Sequence, residues 1–305
     1  MKVNFLFQLT DERIKIIALT TLFFFSLCFS SCKPTYQKEN FVDTIKFLAK
    51  KEYGIDVVDV KQTGQTLGLR FTLDNLLTDL ASGDEKTSRE INGLFVILVR
   101  VSISSDIPPK FVVLEIADKS NPDFRLVLTR YIEDVKKLFA EALSVTDSQD
   151  RLIQEFVMGE KHVPFEADEM ALIRMMMMAV ESNNKPNLNA TFDLKDVSFE
   201  LFIAGVAANQ MRRLLKNRKE FKEELILRQV TASFDRDNVQ NNNFKVFLDL
   251  VSQNTVSGTT KMIETTVLPY VGQQIHDLLK SYKFKDVKNI IVIDRNSGKS
   301  FNVAL

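Results

Sequence analysis

Apolar residues recur along this chain at two spacings, one typical of helices and one typical of strands. They fall at helical spacing over 40–52, and the segment 85–102 is also predicted to be helical, although 96–101 fits a strand as well. Short apolar runs at 57–60 and 67–73 are separated by a link rich in turn-forming residues. The pattern in the first part of the folded body therefore predicts two helices and a pair of strands.

Two hairpins are the clearest features of the pattern. The first joins the apolar runs 111–116 and 124–128 through a loop rich in turn formers, and 289–293 and 300–305 repeat that arrangement at the C-terminus. In each half of the chain, another predicted strand pair and a helix precede the hairpin. These repeated elements predict a duplicated ββαββ unit.

The same two spacings predict the helices and strands of the rest of the chain. Helices are predicted at 132–143 and 261–282, and a strand pair at 229–234 and 244–250. The middle, 147–217, predicts a helical insert between the two units, which indicates an α+β protein. The predicted parts are 1–31 (signal peptide), 33–39 (tether), 40–146 (first α+β unit), 147–217 (helical insert) and 218–305 (second α+β unit).

The N-terminal region has the layout of a secretion signal. Arg13 and Lys15 precede the apolar run 16–29, which has 14 residues, and two serines then lead to Cys32. A helix that crosses the hydrocarbon core needs roughly 20 apolar residues, whereas the core of a signal peptide needs about 7–15. The run is therefore too short for a membrane span and indicates an exported protein.

The small residues followed by cysteine at 30–32 resemble the lipobox of bacterial lipoproteins. The resemblance implies that Cys32 is lipidated and becomes the mature N-terminus, although Phe29 stands where an aliphatic residue is usual. Lys33 stands where an Asp commonly retains lipoproteins in the inner membrane, which favours the periplasmic face of the outer membrane. An ordinarily cleaved exported protein and a retained membrane anchor are the alternatives.

Cysteine usage limits the chemistry of the mature chain. Cleavage before Cys32 would remove Cys28, and acylation would occupy the remaining sulfur. A chain without a free thiol excludes thiol catalysis and cysteine-based metal sites. The mature body of roughly 274 residues is long enough to bury a large core without a disulfide.

The charge balance excludes one class of partner. The chain has 40 basic and 40 acidic residues, and removal of residues 1–31 leaves 37 and 38. A net charge near −1 argues against nucleic-acid binding, because that function requires a positive field.

Motifs for nucleotides, metals and catalysis are incomplete in this sequence. The Gly-Lys-Ser at 298–300 lacks the earlier glycine and the following helix of a phosphate-binding loop, and 235–246 lacks the glycine and the final glutamate of a calcium loop. His162 and His276 have no further ligands at zinc spacing, and no Gly-x-Ser-x-Gly occurs. We expect no cofactor, no metal and no enzymatic activity.

Two weaker patterns suggest binding surfaces. Four consecutive methionines in a predicted helix fit either a helix buried on several sides or an adaptable surface for a partner or an apolar ligand. Five basic residues near a helix end fit either a solvated face or an anionic contact. The methionines are Met175, Met176, Met177 and Met178, and the basic residues are Arg212, Arg213, Lys216, Arg218 and Lys219.

A short tether, a mixed α+β body and the lack of a catalytic motif together resemble uncharacterised envelope lipoproteins of bacteria. The resemblance implies a location and no activity. We therefore expect a lipid-anchored, non-enzymatic envelope protein with a binding or assembly role, which contacts the membrane through Cys32 and an envelope protein through its sheet. A carrier of a lipid or other apolar ligand and a carboxylate-based hydrolase are the alternatives.

Overall fold

The structure, a computed structural model, covers most of the folded body. It describes residues 36–56, 59–121, 123–158, 161–164, 192–235, 242–253 and 259–305. The predicted signal segment with Cys32 lies outside these residues, as do Met175, Met176, Met177 and Met178.

The protein is an α+β protein, and its first unit begins with a short 3-10 turn (Lys38–Asn40). The helix α1 ends at Gly54, which adopts a left-handed φ of 69° that glycine accepts without strain. The helix α3 begins at Asp84, whose carboxylate accepts the Thr87 N–H at 2.7 Å. The elements are α1 (Phe41–Tyr53), β1 (Asp59–Thr63), β2 (Thr66–Leu73), α2 (Leu76–Ser82), α3 (Glu85–Ile103), β3 (Phe111–Asp118), β4 (Phe124–Tyr131), α4 (Ile132–Phe139), α5 (Val145–Asp150), β5 (Ile153–Met158) and β6 (Lys161–Pro164).

The six strands of this unit form one sheet in the order β1-β2-β3-β4-β5-β6. Only β2 and β3 are parallel, and every other neighbouring pair is antiparallel. The predicted helical insert is therefore wrong at 153–158 and 161–164, where β5 and β6 extend the first sheet beyond residue 146. The run from Ile153 to Met158 is too short and too weakly alternating to be distinguished from a helix by its pattern.

The second unit begins with α6, whose N-cap Ser198 accepts the Leu201 N–H at 3.2 Å. Its four strands form a separate sheet in the order β10-β9-β8-β7, in which only β8 and β9 are parallel. A π-helical stretch, Ile263–Val267, joins α8 to α9 in one continuous helix. The elements are α6 (Phe199–Asn217), α7 (Lys219–Lys222), β7 (Leu225–Asp235), β8 (Asn243–Ser252), α8 (Thr259–Met262), α9 (Leu268–Ser281), β9 (Asn289–Asp294) and β10 (Ser300–Ala304).

The two units share the strand order and directions of a ββαββ arrangement. In each, a buried aspartate ends the strand that follows the helix: Asp118 ends β3 and Asp294 ends β9. Asp118 accepts the backbone N–H groups of Leu77 and Ser120. Asp294 accepts those of Leu250 and Ser297. Asp118 thus joins the start of α2, and Asp294 joins β8, to the turn that follows its own strand. The duplication itself stays a prediction.

Each sheet buries one face against helices of its own unit. Side chains of α1 and α3 form one core with β2, β3 and β4, and those of α6 and α9 form another with β8 and β9. Two residues of the first sheet, Phe111 and Ile153, belong to the core of the second unit. The units are therefore packed against each other through apolar side chains.

Aromatic rings occupy this contact between the units. The Phe111 and Tyr131 rings of the first sheet lie 5.3 Å apart, and Tyr131 lies 5.1 Å from Phe199 at the start of α6. Phe199 in turn lies 5.8 Å from Tyr282 at the end of α9. Ring pairs at these distances stabilise by about 0.5–1.5 kcal/mol beyond their burial.

A buried carboxylate, Asp134, also connects the two units. Asp134 in α4 is fully buried and accepts from Arg151 at 2.9 Å and from the Tyr282 hydroxyl at 2.6 Å. Burial, together with the charge of Asp134, raises the pKa of Tyr282, so its hydroxyl stays protonated and donates. The carboxylate thus accepts hydrogen bonds from one residue of each unit, and Lys137 Nζ lies 3.9 Å from it.

No helix among the described residues is both long and apolar enough to cross a membrane.

Replacement of Asp134 tests the contact between the units. We expect Asp134→Ala to lower the free energy of unfolding by about 3–5 kcal/mol, because it leaves Arg151 and the Tyr282 hydroxyl buried without their acceptor. Urea denaturation measures the change. The control is Glu133→Ala, which removes the neighbouring, more exposed carboxylate that pairs with Lys136 and should cost less than about 1 kcal/mol. Equal losses in both variants would contradict this role of Asp134.

Candidate functional site

A segment of irregular backbone, residues 192–197, crosses the face of the first sheet opposite α1 and α3; we call it the crossing segment. Phe192 and Leu194 from it are buried against the sheet beside Val113. Gly68 allows this contact, because a Cβ there would lie 2.5 Å from a Leu194 methyl and 2.8 Å from the Phe192 ring. The absence of a side chain at position 68 therefore lets the crossing segment approach the sheet.

Polar contacts hold the other end of the crossing segment to the β1–β2 turn. Asp196 accepts from the Gln65 N–H at 3.0 Å and from the Thr66 hydroxyl at 2.9 Å, while the Thr66 oxygen accepts the Val197 N–H at 2.8 Å. Lys61 donates to the Phe192 carbonyl oxygen. The segment is thus fixed at both ends across the sheet.

Between the crossing segment, the start of α6 and the sheet lies a cavity of about 800 Å³, which we call the sheet cleft. Its floor comes from β3, β4 and β5, and its walls come from the crossing segment and α6. Leu201 lines the cleft yet is 71% exposed, so the cleft opens to solvent beside this residue. Its apolar lining includes Val113, Val127, Ile153, Val157, Phe192 and Leu201.

One buried carboxylate interrupts this apolar lining. Glu115, in the middle of β3, has its side chain 11% exposed and lies in register with Arg70 of β2. Its two oxygens lie 3.3 Å from Arg70 Nε and 3.5 Å from Arg125 Nη1. An isolated buried carboxylate would be costly, so the two guanidinium groups offset its desolvation. Glu115 is therefore paired with Arg70 and Arg125 in the floor of the cleft.

A second carboxylate lies nearby on the sheet. Glu155 of β5 is in register with Val127, which is in register with Glu115, so the backbones of the two glutamates are about 10 Å apart. Within the described residues, no group of three or more His, Cys, Asp or Glu could hold a metal ion. The cleft therefore offers apolar contact and paired charges.

The predicted basic surface is dispersed in the structure. Arg212 is buried and donates to Asn209 and to the Val230 carbonyl oxygen, so it does not belong to an exposed patch, contrary to the prediction. Arg213 pairs with Asp150.

The remaining three basic residues lie at the C-terminal end of α6 and the start of α7. The Arg218 guanidinium stacks on Tyr270 at 4.3 Å, Lys219 lies 3.8 Å from a Glu223 oxygen, and Lys216 is exposed. These positions fit a largely solvated helix end better than one anionic site.

The two histidines lie on different elements. The backbone of His162 in β6 is in register with Val157. His276 lies on α9, where its Nδ1 is 3.5 Å from the Asp277 carboxylate. The Gly-Lys-Ser sequence lies at the β9–β10 turn, where Gly298 has a φ of 68°.

Sequence reasoning missed Glu115, Arg70 and Arg125. The available signal was a charged residue inside the apolar run 111–116, because a charge in a buried strand requires a partner.

Comparison of the chain with family models, with curated proteins and with solved structures finds no match.

The contact of Asp196 is open to a direct test. We expect Asp196→Ala to cost about 1–2 kcal/mol and to speed hydrogen exchange of the Gln65 amide, because this amide loses its acceptor. Asp193→Ala is the matched control, since Asp193 is an exposed acid of the same segment. Exchange measured by mass spectrometry should rise in the first variant alone, and an unchanged rate would show that Asp196 does not hold the segment.

Proposed function

We propose that the protein is a non-enzymatic carrier that holds an apolar ligand, such as a lipid acyl chain, in the sheet cleft. We further propose that a lipid on Cys32 ties it to the bacterial envelope, at the periplasmic face of the outer membrane. The first part rests on the cleft and the second on the sequence around Cys32.

The size and lining of the sheet cleft support a carrier role. Its volume of about 800 Å³ lies within the range of roughly 300–1,000 Å³ that small-molecule sites occupy. Such sites are lined mainly by apolar side chains with a few fixed polar groups. Here Glu115 and Arg125 are a paired polar group of the floor, and the other charged lining residues are Glu155, Asp193, Lys195 and Asp196. The cleft is open to solvent beside Leu201, which suits a ligand that enters from that side.

An assembly role that presents the face of the first sheet to a protein partner has less support. All eight residues of β3 are buried, so both faces of the first sheet are covered at its centre. A carboxylate-based hydrolase also has less support, because both oxygens of Glu115 face guanidinium groups. Proton transfer needs a carboxyl group that is available to the substrate.

A single tryptophan can report on the cleft, because the chain contains none. We expect the emission of Leu201→Trp to shift to shorter wavelength when oleate is added, since the ligand would remove water from this side chain. The matched control is Val96→Trp, at a 54% exposed position on α3, which covers the opposite face of the sheet. Titration should give a saturable shift in the first variant only.

Two outcomes would count against the carrier role. One is an equal response of both tryptophan variants, which would indicate non-specific association. The other is the absence of any apolar molecule in organic extracts of the purified full chain, together with no response of Leu201→Trp to oleate or to phospholipid vesicles.

The anchor has its own test in a bacterial host. We expect Cys32→Ser to remain as the longer precursor and to lose the acyl mass, because the lipid attaches to this sulfur. Cys28→Ser should be processed normally, since it lies in the segment that is removed. Intact mass spectrometry of the membrane fraction distinguishes the two, and an unmodified Cys32 in the mature wild-type chain would refute the anchor.

A further inference from the structure

The outer edge of β10 carries backbone groups that pair with no other described strand. Phe301 and Val303 are in register with Val292 and Ile290 of β9, and Leu305 donates to the Lys288 carbonyl oxygen at 2.9 Å. Because hydrogen-bonded positions alternate along an antiparallel strand, 301, 303 and 305 bond inward, and the backbone groups of Ser300, Asn302 and Ala304 point outward. These three residues are exposed. Within the described chain, β9 is the only strand that pairs with β10.

The other described sheet edges carry features that disfavour further pairing. The edge strand β7 has a bulge between Leu227 and Gln229, and its Val230 carbonyl oxygen accepts from Arg212 of α6. The edge strand β1 is bound to the crossing segment through Lys61, and β6 ends in Pro164. In contrast, β10 contains no proline, no charged residue and no bulge.

The first unit shows what the equivalent edge can accept. There β4, which corresponds to β10 in strand order, pairs along its outer edge with the antiparallel strand β5. In the second unit that position is empty among the described residues. The geometry of the repeated arrangement is therefore compatible with one more antiparallel strand beside β10.

We propose that the missing strand is the β10 of a second copy of this chain, paired antiparallel about a two-fold axis at Asn302. This register places Ser300 opposite the partner's Ala304 and Asn302 opposite its own copy. No like charges face each other, because the strand is neutral, and the outward-facing residues are small or polar. The two four-stranded sheets would become one continuous sheet of eight strands.

The expected association is weak. A strand of five residues spans only about 17 Å, and an interface of this size falls below the area that stable complexes bury. We therefore expect a dimer that forms with rising protein concentration, in the micromolar range or above.

Proline substitution tests the edge. Asn302→Pro removes an outward N–H while the inward bonds of Phe301 and Val303 to β9 remain, so the fold should be retained. We expect light scattering of the full chain in detergent to show a concentration-dependent dimer for wild type, and a monomer for Asn302→Pro up to about 100 µM. The matched control, Asn302→Ala, keeps the N–H and should dimerise as wild type does. Circular dichroism and thermal denaturation establish that both variants are folded.

Cysteine substitution tests the register. Asn302→Cys should form a disulfide-linked dimer on mild oxidation, because directly opposite residues have Cα atoms about 5.5 Å apart. Ser300→Cys alone should not cross-link beyond the wild-type background, whereas a mixture of Ser300→Cys and Ala304→Cys chains should. Three results would overturn the proposal. They are a wild-type monomer at every concentration, a dimer that persists in Asn302→Pro, and cross-linking of Ser300→Cys alone that equals cross-linking of the mixture. The cleft proposal does not depend on this outcome, because the cleft lies on the other sheet.

Discussion

Close contact between α6 and β5 is the constraint on which the rest of the structure depends. A Cβ at Gly205 would lie 2.6 Å from a terminal methyl of Ile153, so helix and strand reach this distance only because the residue has no side chain. The contact brings Phe202 to 5.4 Å from the Phe111 ring of the first sheet, while Val206 lies in the core of the second unit. The helix α6 thus serves both units, and it forms one wall of the sheet cleft beside them.

The two units share a topology but differ in how their sheets are covered. In the first, every residue of β3 is buried, whereas along β8 buried and half-buried positions alternate. A sheet covered on both faces requires nearly continuous apolar strands, and a sheet covered on one face requires alternation. The sequences 111–118 and 243–252 follow this rule. The covering of the first sheet by α6 and the crossing segment is what creates the cleft, and the second sheet lacks its counterpart among the described residues.

The sequence predicted the elements with strong periodicity and missed those that depend on distant contacts. Both hairpins and the helix α3 lie close to their predicted positions, because turn formers and helical spacing are local signals. The parallel pairing of β2 with β3 joins segments about 45 residues apart, which spacing alone does not reveal. The charge of Glu115 within its apolar run indicated a buried pair, but only the register identifies Arg70 as the partner. The crossing segment lies within the predicted helical insert but is irregular, and spacing did not reveal its position because that position depends on Gly68 in another part of the chain.

The walls and the floor of the sheet cleft come from different halves of the chain. Strands β3 to β5 supply the floor, and residues after 191 supply the walls. The cavity therefore exists only while α6 and the crossing segment are docked on the first sheet. By thermodynamic linkage, a molecule that occupies the cavity stabilises this docked state by RT ln(1 + [L]/Kd), which is about 2.7 kcal/mol at a hundredfold excess over Kd. A ligand in the cleft and the docking of the two units would therefore be linked equilibria: a molecule that fills the cleft would also hold the halves of the protein together.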